Sequence, residues 1–195
     1  MANFCLSAVR IMIRALFERK FQMCSCGKRI QVTIFDDIKP SAWGYPMWRV
    51  LHSLTELSGE QINKFLDQDE YYAWKSVLNI LHTCLPCALC REHYSGWVRE
   101  HPYEPIITLS GSERKVALRK WLFDLHNFTP MTGTCARPTI EQLPDLYSRD
   151  NIDIDAEIKE IVRILQLSSQ GGIIPRDAYD AFRRYVTNLY TILRG

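Results

Sequence analysis

Apolar residues recur along most of the chain at intervals of three and four, the spacing that gathers them on one face of an α-helix. From Ser41 onward this period dominates. Trp48, Leu51 and Thr55 share a face, His52 lies four residues after Trp48, and Gly59 ends the segment. A second helix is predicted over about 60–83, striped by Trp74, Val77, Leu78 and Leu81. Pro86 suits the opening of a third, since a proline there forfeits no helical hydrogen bond, and Cys87, Cys90, Tyr94, Trp97 and Val98 continue it at helical spacing. After a linker holding Pro102 and Pro105, Ser110 or Ser112 can cap a fourth helix carrying Leu118, Trp121, Leu122 and Leu125 on one side. Four such helices with short connections predict an antiparallel bundle. Beyond Asp150 two more follow, striped by Ile154, Ile158, Ile161 and Leu165 and by Ala178, Phe182, Val186 and Leu189. Gly171, Gly172 and Pro175 separate them, and they read as an appendage useful for packing or dimerisation. Upstream, residues 30–35 (IQVTIF) alternate like a short strand until Asp36, Asp37 and Pro40 break the pattern.

Composition narrows the class. A chain of 195 residues, 47% hydrophobic and 24% charged, can bury one core with an added lobe. Its 24 basic and 22 acidic side chains leave a formal charge of +2, which gives no reason to expect a nucleic-acid partner. No uncharged apolar run approaches the roughly 20 residues of a membrane span. Residues 6–17 (LSAVRIMIRALF) are apolar but broken by Arg10 and Arg14, a poor core for a secretory signal. With Leu6, Val9, Ile13 and Leu16 on one face and Arg19 and Lys20 nearby, they fit either an N-terminal helix packed on the core or a basic amphipathic targeting helix.

The seven cysteines (Cys5, Cys24, Cys26, Cys84, Cys87, Cys90 and Cys135) cluster too tightly for an evenly spaced extracellular scaffold and point to redox chemistry or metal binding. Cys87-Ala88-Leu89-Cys90 is the sharpest feature. Two cysteines at i and i+3 at a helix start can close a disulfide, and the positive end of the helix stabilises the thiolate that attacks disulfides. A thioredoxin-like fold is excluded by context, because helices rather than alternating strands flank the pair. Cys84, Cys87, Cys90 and His93 recur every three residues and suggest zinc or an iron–sulfur cluster. Ligands at that spacing drift around a continuous helix, so they converge on one ion only if Pro86 breaks it. Trp48 with His52, and Trp121 with His126 and Asn127, each suit core packing or a cap when read alone.

Together these segments say more. WGYPMWRVLHS, LPCALCREHY and RKWLFDLHN, in that order on successive helices, resemble the Erv/ALR family of FAD-linked sulfhydryl oxidases. The family pattern is W-x3-H on the first helix, P-C-x-x-C with a histidine soon after on the third, and W-x4-H-N on the fourth. The resemblance spans about residues 41–138. It implies an all-α fold, a four-helix bundle with a short fifth helix, to which this chain adds C-terminal helices. It implies FAD as cofactor, held by Trp43, Gly44, Trp48, His52, His93, Trp121, His126 and Asn127, with Arg137 neutralising a phosphate. Cys87 becomes the interchange thiol and Cys90 the flavin-proximal one, with electrons passing to FAD and then to oxygen as hydrogen peroxide. Such oxidases carry a second cysteine pair on an arm outside the bundle, a shuttle role that falls to Cys24 and Cys26, and a C-x-C disulfide closes a strained small ring that is easily reduced. The domains implied are an arm at 1–40, an oxidase bundle at 41–150 and a helical extension at 151–195.

Protein thiols and molecular oxygen are then the partners, with a homodimer as the family's usual state. The chain departs from the pattern in three places. Phe128-Thr129-Pro130 replaces the x-V-N that follows H-N, Leu85 replaces the tyrosine before P-C, and Phe123 or Asp124 stands where many members have a cysteine. Cys135 thus lacks that partner, leaving it to pair with Cys84 or stay free. Asn127-Phe128-Thr129 spells a glycosylation sequon, read as unused because Asn127 is placed at the flavin and Pro130 follows. The divergence fits a virus-encoded member acting in host cytoplasm or virions, with the mitochondrial intermembrane space as the alternative. The rival from another class is a non-catalytic helical interaction module with a cysteine/histidine structural metal site.

Overall fold

A computed structural model of the chain describes residues 39–60, 63–129 and 138–195, and all regular structure among them is helical. The proposed strand at 30–35, the N-terminal helix, and Cys5, Cys24, Cys26, Cys135 and Arg137 lie outside the described residues.

Helix α1 spans Pro40–Leu57, with Pro40 in its first turn. Helix α2 spans Lys64–Cys84 and begins later than the periodicity suggests, because the Asn63 side chain accepts the Phe65 N–H at 2.9 Å and sets the start there. Helix α3 covers Ala88–Glu100. Pro86 precedes this helix instead of opening it, and Cys87 is the cap. The linker that follows folds into a short helix, α4 (Glu104–Ile107), before α5 (Gly111–Phe128) starts after Ser110. A 3-10 turn at Ile140–Gln142 runs into α6 (Leu143–Leu146), and α7 (Ile154–Gln170) and α8 (Arg176–Arg194) complete the set.

Helix α1 packs on α5 and α7, α2 packs on α3 and α8, and α7 and α8 lie against each other. The apolar stripes expected of both C-terminal helices are buried in the same cluster as those of α1, α2 and α5. No described helix is long and apolar enough to cross a membrane.

A buried polar knot ties the ends of four helices together. Arg114, in the first turn of α5, pairs with Glu70 at 3.2 Å and Asp67 at 3.0 Å, and its Nε donates to the Ile107 carbonyl at 3.0 Å. Glu70, fully buried on α2, accepts the Ser58 hydroxyl and, at 3.0 Å, the Gly59 N–H. The Trp74 indole in turn donates to the Ser58 hydroxyl at 3.1 Å. Each buried charge is thereby paired and hydrogen-bonded, the condition under which burial is tolerated. Gly59 makes this junction sterically possible. Its φ of 72° disfavours other residues, and a Cβ there would run into the Gly111 carbonyl. Gly59→Ala should destabilise the fold by about 3 kcal/mol, read as a lower urea midpoint at unchanged slope.

Candidate active site

The cysteine pair sits where α2 hands over to α3. Cys87 and Cys90 form a disulfide with Cα atoms 5.1 Å apart. Cys87 has extended backbone and caps α3, its sulfur accepting the Cys90 N–H at 3.1 Å. In the reduced pair that N–H and the positive end of the helix would stabilise a thiolate at Cys87. Both cysteines are half-buried, while Ala88 and Leu89 between them are exposed. Cys84, three residues upstream, differs completely. It is a free thiol buried at the end of α2, and burial pushes its ionisation far above the usual thiol range. Arg91 braces the junction by donating to the Leu85 carbonyl at 2.6 Å. Among the described residues no group of three or more metal-ligating side chains is placed to hold an ion.

Four aromatic rings from three segments meet beside α1. Trp48 and His126 stack with centroids 4.1 Å apart, nearly parallel at 8°. His52 lies 3.4 Å from His126, nitrogen to nitrogen, and Tyr147 stacks on His52 at 4.6 Å between centroids. Gly44, Trp48 and His52 follow at four-residue intervals on α1, so they share one face of the helix. Nothing within 4 Å would meet a Cβ at Gly44, which leaves open space beside this face. His52 is buried, and burial, with the neighbouring His126 second, lowers its pKa to about 3. The ring is therefore neutral near pH 7.

A second group lines α3 and α5. Trp97 stacks on His101 at 3.8 Å, meets Trp121 edge-on at 6.5 Å and lies 5.2 Å from Phe128. Trp121 donates its indole N–H to the His101 carbonyl at 2.8 Å and meets Tyr103 edge-on. His93 reaches Phe128 at 6.4 Å. The two groups are joined through the last turn of α5, where His126 belongs to the first and Phe128 to the second, with the exposed Asn127 between them. Trp43 is buried a turn ahead of Trp48. Its indole N–H, like His52 Nδ1 and the Ser53 hydroxyl, has no hydrogen-bond partner among the described residues.

The structure thus brings Trp48, His52 and His126 into one contact set and links His93 and Trp121 to it through Phe128 and Trp97. Sequence reasoning missed Tyr147 altogether, because a lone tyrosine after a four-residue helix carries no periodic or motif signal. Trp97 was visible only as one more member of an apolar stripe.

Comparison with known proteins places these features in context. The Erv1 / Alr family model matches residues 45–129. A protein of Frog virus 3 (isolate Goorha) named "Putative FAD-linked sulfhydryl oxidase 088R" is 39% identical over 111 residues, which cover 57% of this chain and 69% of that protein. No solved structure matches the chain.

The neutral, buried His52 has a consequence for stability. Its folded pKa of about 3 lies below the unfolded value near 6.5, so between these values the unfolded chain binds the extra proton. His52 therefore costs no stability above pH 6.5, and stability is lost as the pH falls from there toward 3. Urea midpoints at pH 7 and pH 4.5 should show this loss, and His52→Gln should flatten it.

Proposed function

The chain belongs to the Erv1/Alr family and is a thiol oxidase that uses FAD; we propose that Cys87–Cys90 is its working disulfide, that protein thiols are its substrates, and that hydrogen peroxide is its second product. The observation that carries this reading is the position of the pair, a disulfide closed across the first turn of α3 whose Cys87 sulfur already accepts a helix N–H.

An incoming thiolate attacks Cys87, forming a mixed disulfide and expelling the Cys90 thiolate. A second substrate thiolate then attacks the substrate sulfur of the mixed disulfide, which releases oxidised substrate and leaves both protein thiols reduced. A stabilised Cys87 thiolate makes it the better leaving group in this second step. Ala88 and Leu89, between the two half-buried cysteines, are exposed, so the pair borders solvent. Cys84 takes no part, since a deeply buried thiol held protonated is a poor nucleophile. Bound FAD would supply the two-electron redox chemistry that reoxidises the Cys87–Cys90 dithiol at the expense of oxygen.

The residues present fit such a cofactor. A flat conjugated ligand with carbonyl and ring-nitrogen acceptors needs aromatic surfaces and a few unsatisfied donors. Trp48, His52, His126 and Tyr147 supply the surfaces. The buried Trp43 N–H supplies a donor, the free His52 Nδ1 a further polar contact, and the open space at Gly44 lies on the same face of α1. Trp43, Gly44, Trp48, His52, His93, Trp121, His126 and Asn127 are the residues we assign to holding it, with Arg137 beside a phosphate. Cys24 and Cys26 we assign to the shuttle. We propose a homodimer as its working state. The viral relative favours action in host cytoplasm or virions.

Purified protein should be yellow and should consume oxygen when dithiothreitol is added in air. Cys87→Ser or Cys90→Ser should reduce consumption to background while keeping the flavin absorbance band, and full activity in either variant would sink the assignment. Replacing Cys24 and Cys26 together by serine should impair oxidation of a reduced protein substrate while sparing dithiothreitol. Equal loss on both substrates would remove the shuttle.

A further inference from the structure

We propose that Trp97 of α3 is an additional cofactor-binding residue whose indole N–H donates a hydrogen bond to an acceptor on the bound flavin dinucleotide; this deepens, and rests on, the FAD reading above. Trp97 is 8% exposed, and its Nε1 is buried without a hydrogen-bond partner among the described residues. Folded proteins rarely leave a buried donor unpaired, because nothing in the interior replaces the water it loses. The neighbouring indole makes the contrast plain. Trp121 spends its N–H on the His101 carbonyl at 2.8 Å, while Trp97 stacks on the ring of the same histidine with its N–H unspent.

Position ties this donor to the redox pair. Cys90, His93 and Trp97 fall at i, i+3 and i+7 on α3 and so share one face. His93 and Trp97 both reach Phe128, which follows His126 and Asn127 at the end of α5. A donor set in an aromatic wall recognises a flat ring that carries carbonyl or ring-nitrogen acceptors, which both ring systems of FAD provide.

Trp97→Phe keeps an aromatic ring and removes only the donor, so the stability of the apoprotein and its affinity for the cofactor should move in different directions. With flavin stripped, the variant should melt at or above the wild-type temperature, since it no longer buries an unpaired N–H. Its Kd for added FAD should rise about three- to ten-fold, the worth of one hydrogen bond. The FAD-dependent gain in Tm should shrink accordingly. Unchanged FAD affinity in a stably folded variant would overturn the proposal and leave the orphan donor as a packing defect.

Should phenylalanine disturb the packing and lower the apoprotein Tm, the wild-type indole itself decides. Among the signals of the five tryptophans, the Trp97 N–H, assigned by its absence in the variant, should move downfield in proton–nitrogen spectra on adding FAD. A stationary signal would overturn the proposal. Failure of the wild-type protein to take up FAD at all would instead bring down the functional reading and this proposal with it, whereas uptake with a silent Trp97 would bring down this proposal alone.

Discussion

Helices α1 and α5 run antiparallel, and a series of side-chain contacts holds the second half of α1 in register with α5. Lys115 meets Glu60 at 2.8 Å, and Arg119 grips Glu56 with two hydrogen bonds of 2.8 and 2.6 Å. Further along, His126 lies against His52 and Trp48. The contacts advance along α5 as they retreat along α1, from Lys115 and Glu60 through Arg119 and Glu56 to His126, which meets both His52 and Trp48. A slip of one turn, about 5.4 Å, would carry His126 off Trp48 and dismantle the ring cluster. The partly exposed ion pairs contribute little energy singly. Their role here is geometric, and the buried Arg114–Glu70 knot anchors the far end, where a slip would strand an unpaired charge.

Environment divides labour among residues that look equivalent in the chain. Cys84, Cys87 and Cys90 are evenly spaced, yet one lies under the core at a helix C-terminus and two straddle a helix N-terminus. Desolvation suppresses the first thiolate, whereas the N–H and dipole of α3 favour the second. Histidines divide in the same way. His52 is buried and neutral and meets Tyr147 and His126 ring to ring, while His101 sits exposed on the face of Trp97. Chemistry thus follows from solvent exclusion and helix ends more than from residue type.

The C-terminal helices share this organisation. Helix α7 lies along α1, and Glu157 on it pairs with Arg49 at 2.9 Å, one residue after Trp48. The segment leading into α7 brings Tyr147 onto His52. Residues beyond the family match therefore abut the aromatic cluster, and the stripes that read as an appendage in the sequence merge with the core of the bundle.

Local sequence determined the all-helical character of the described chain, the helix stripes and most of the boundaries, because hydrophobic period, caps and prolines act over a few residues. Where a nearby side chain competed, as Asn63 did before α2 and Cys87 before α3, the boundary moved by a few residues. The ordered tryptophan, cysteine and histidine motifs made the family legible, since they record chemistry that needs those residue types on successive helices. Only the tertiary structure decided which stripe lies on which, that α8 covers α2 and α7 covers α1. It alone placed Tyr147 at His52 and left the Trp97 N–H without an acceptor among the described residues. Contacts between residues far apart in the chain depend on how whole helix faces fit together, and no short stretch of sequence carries that information.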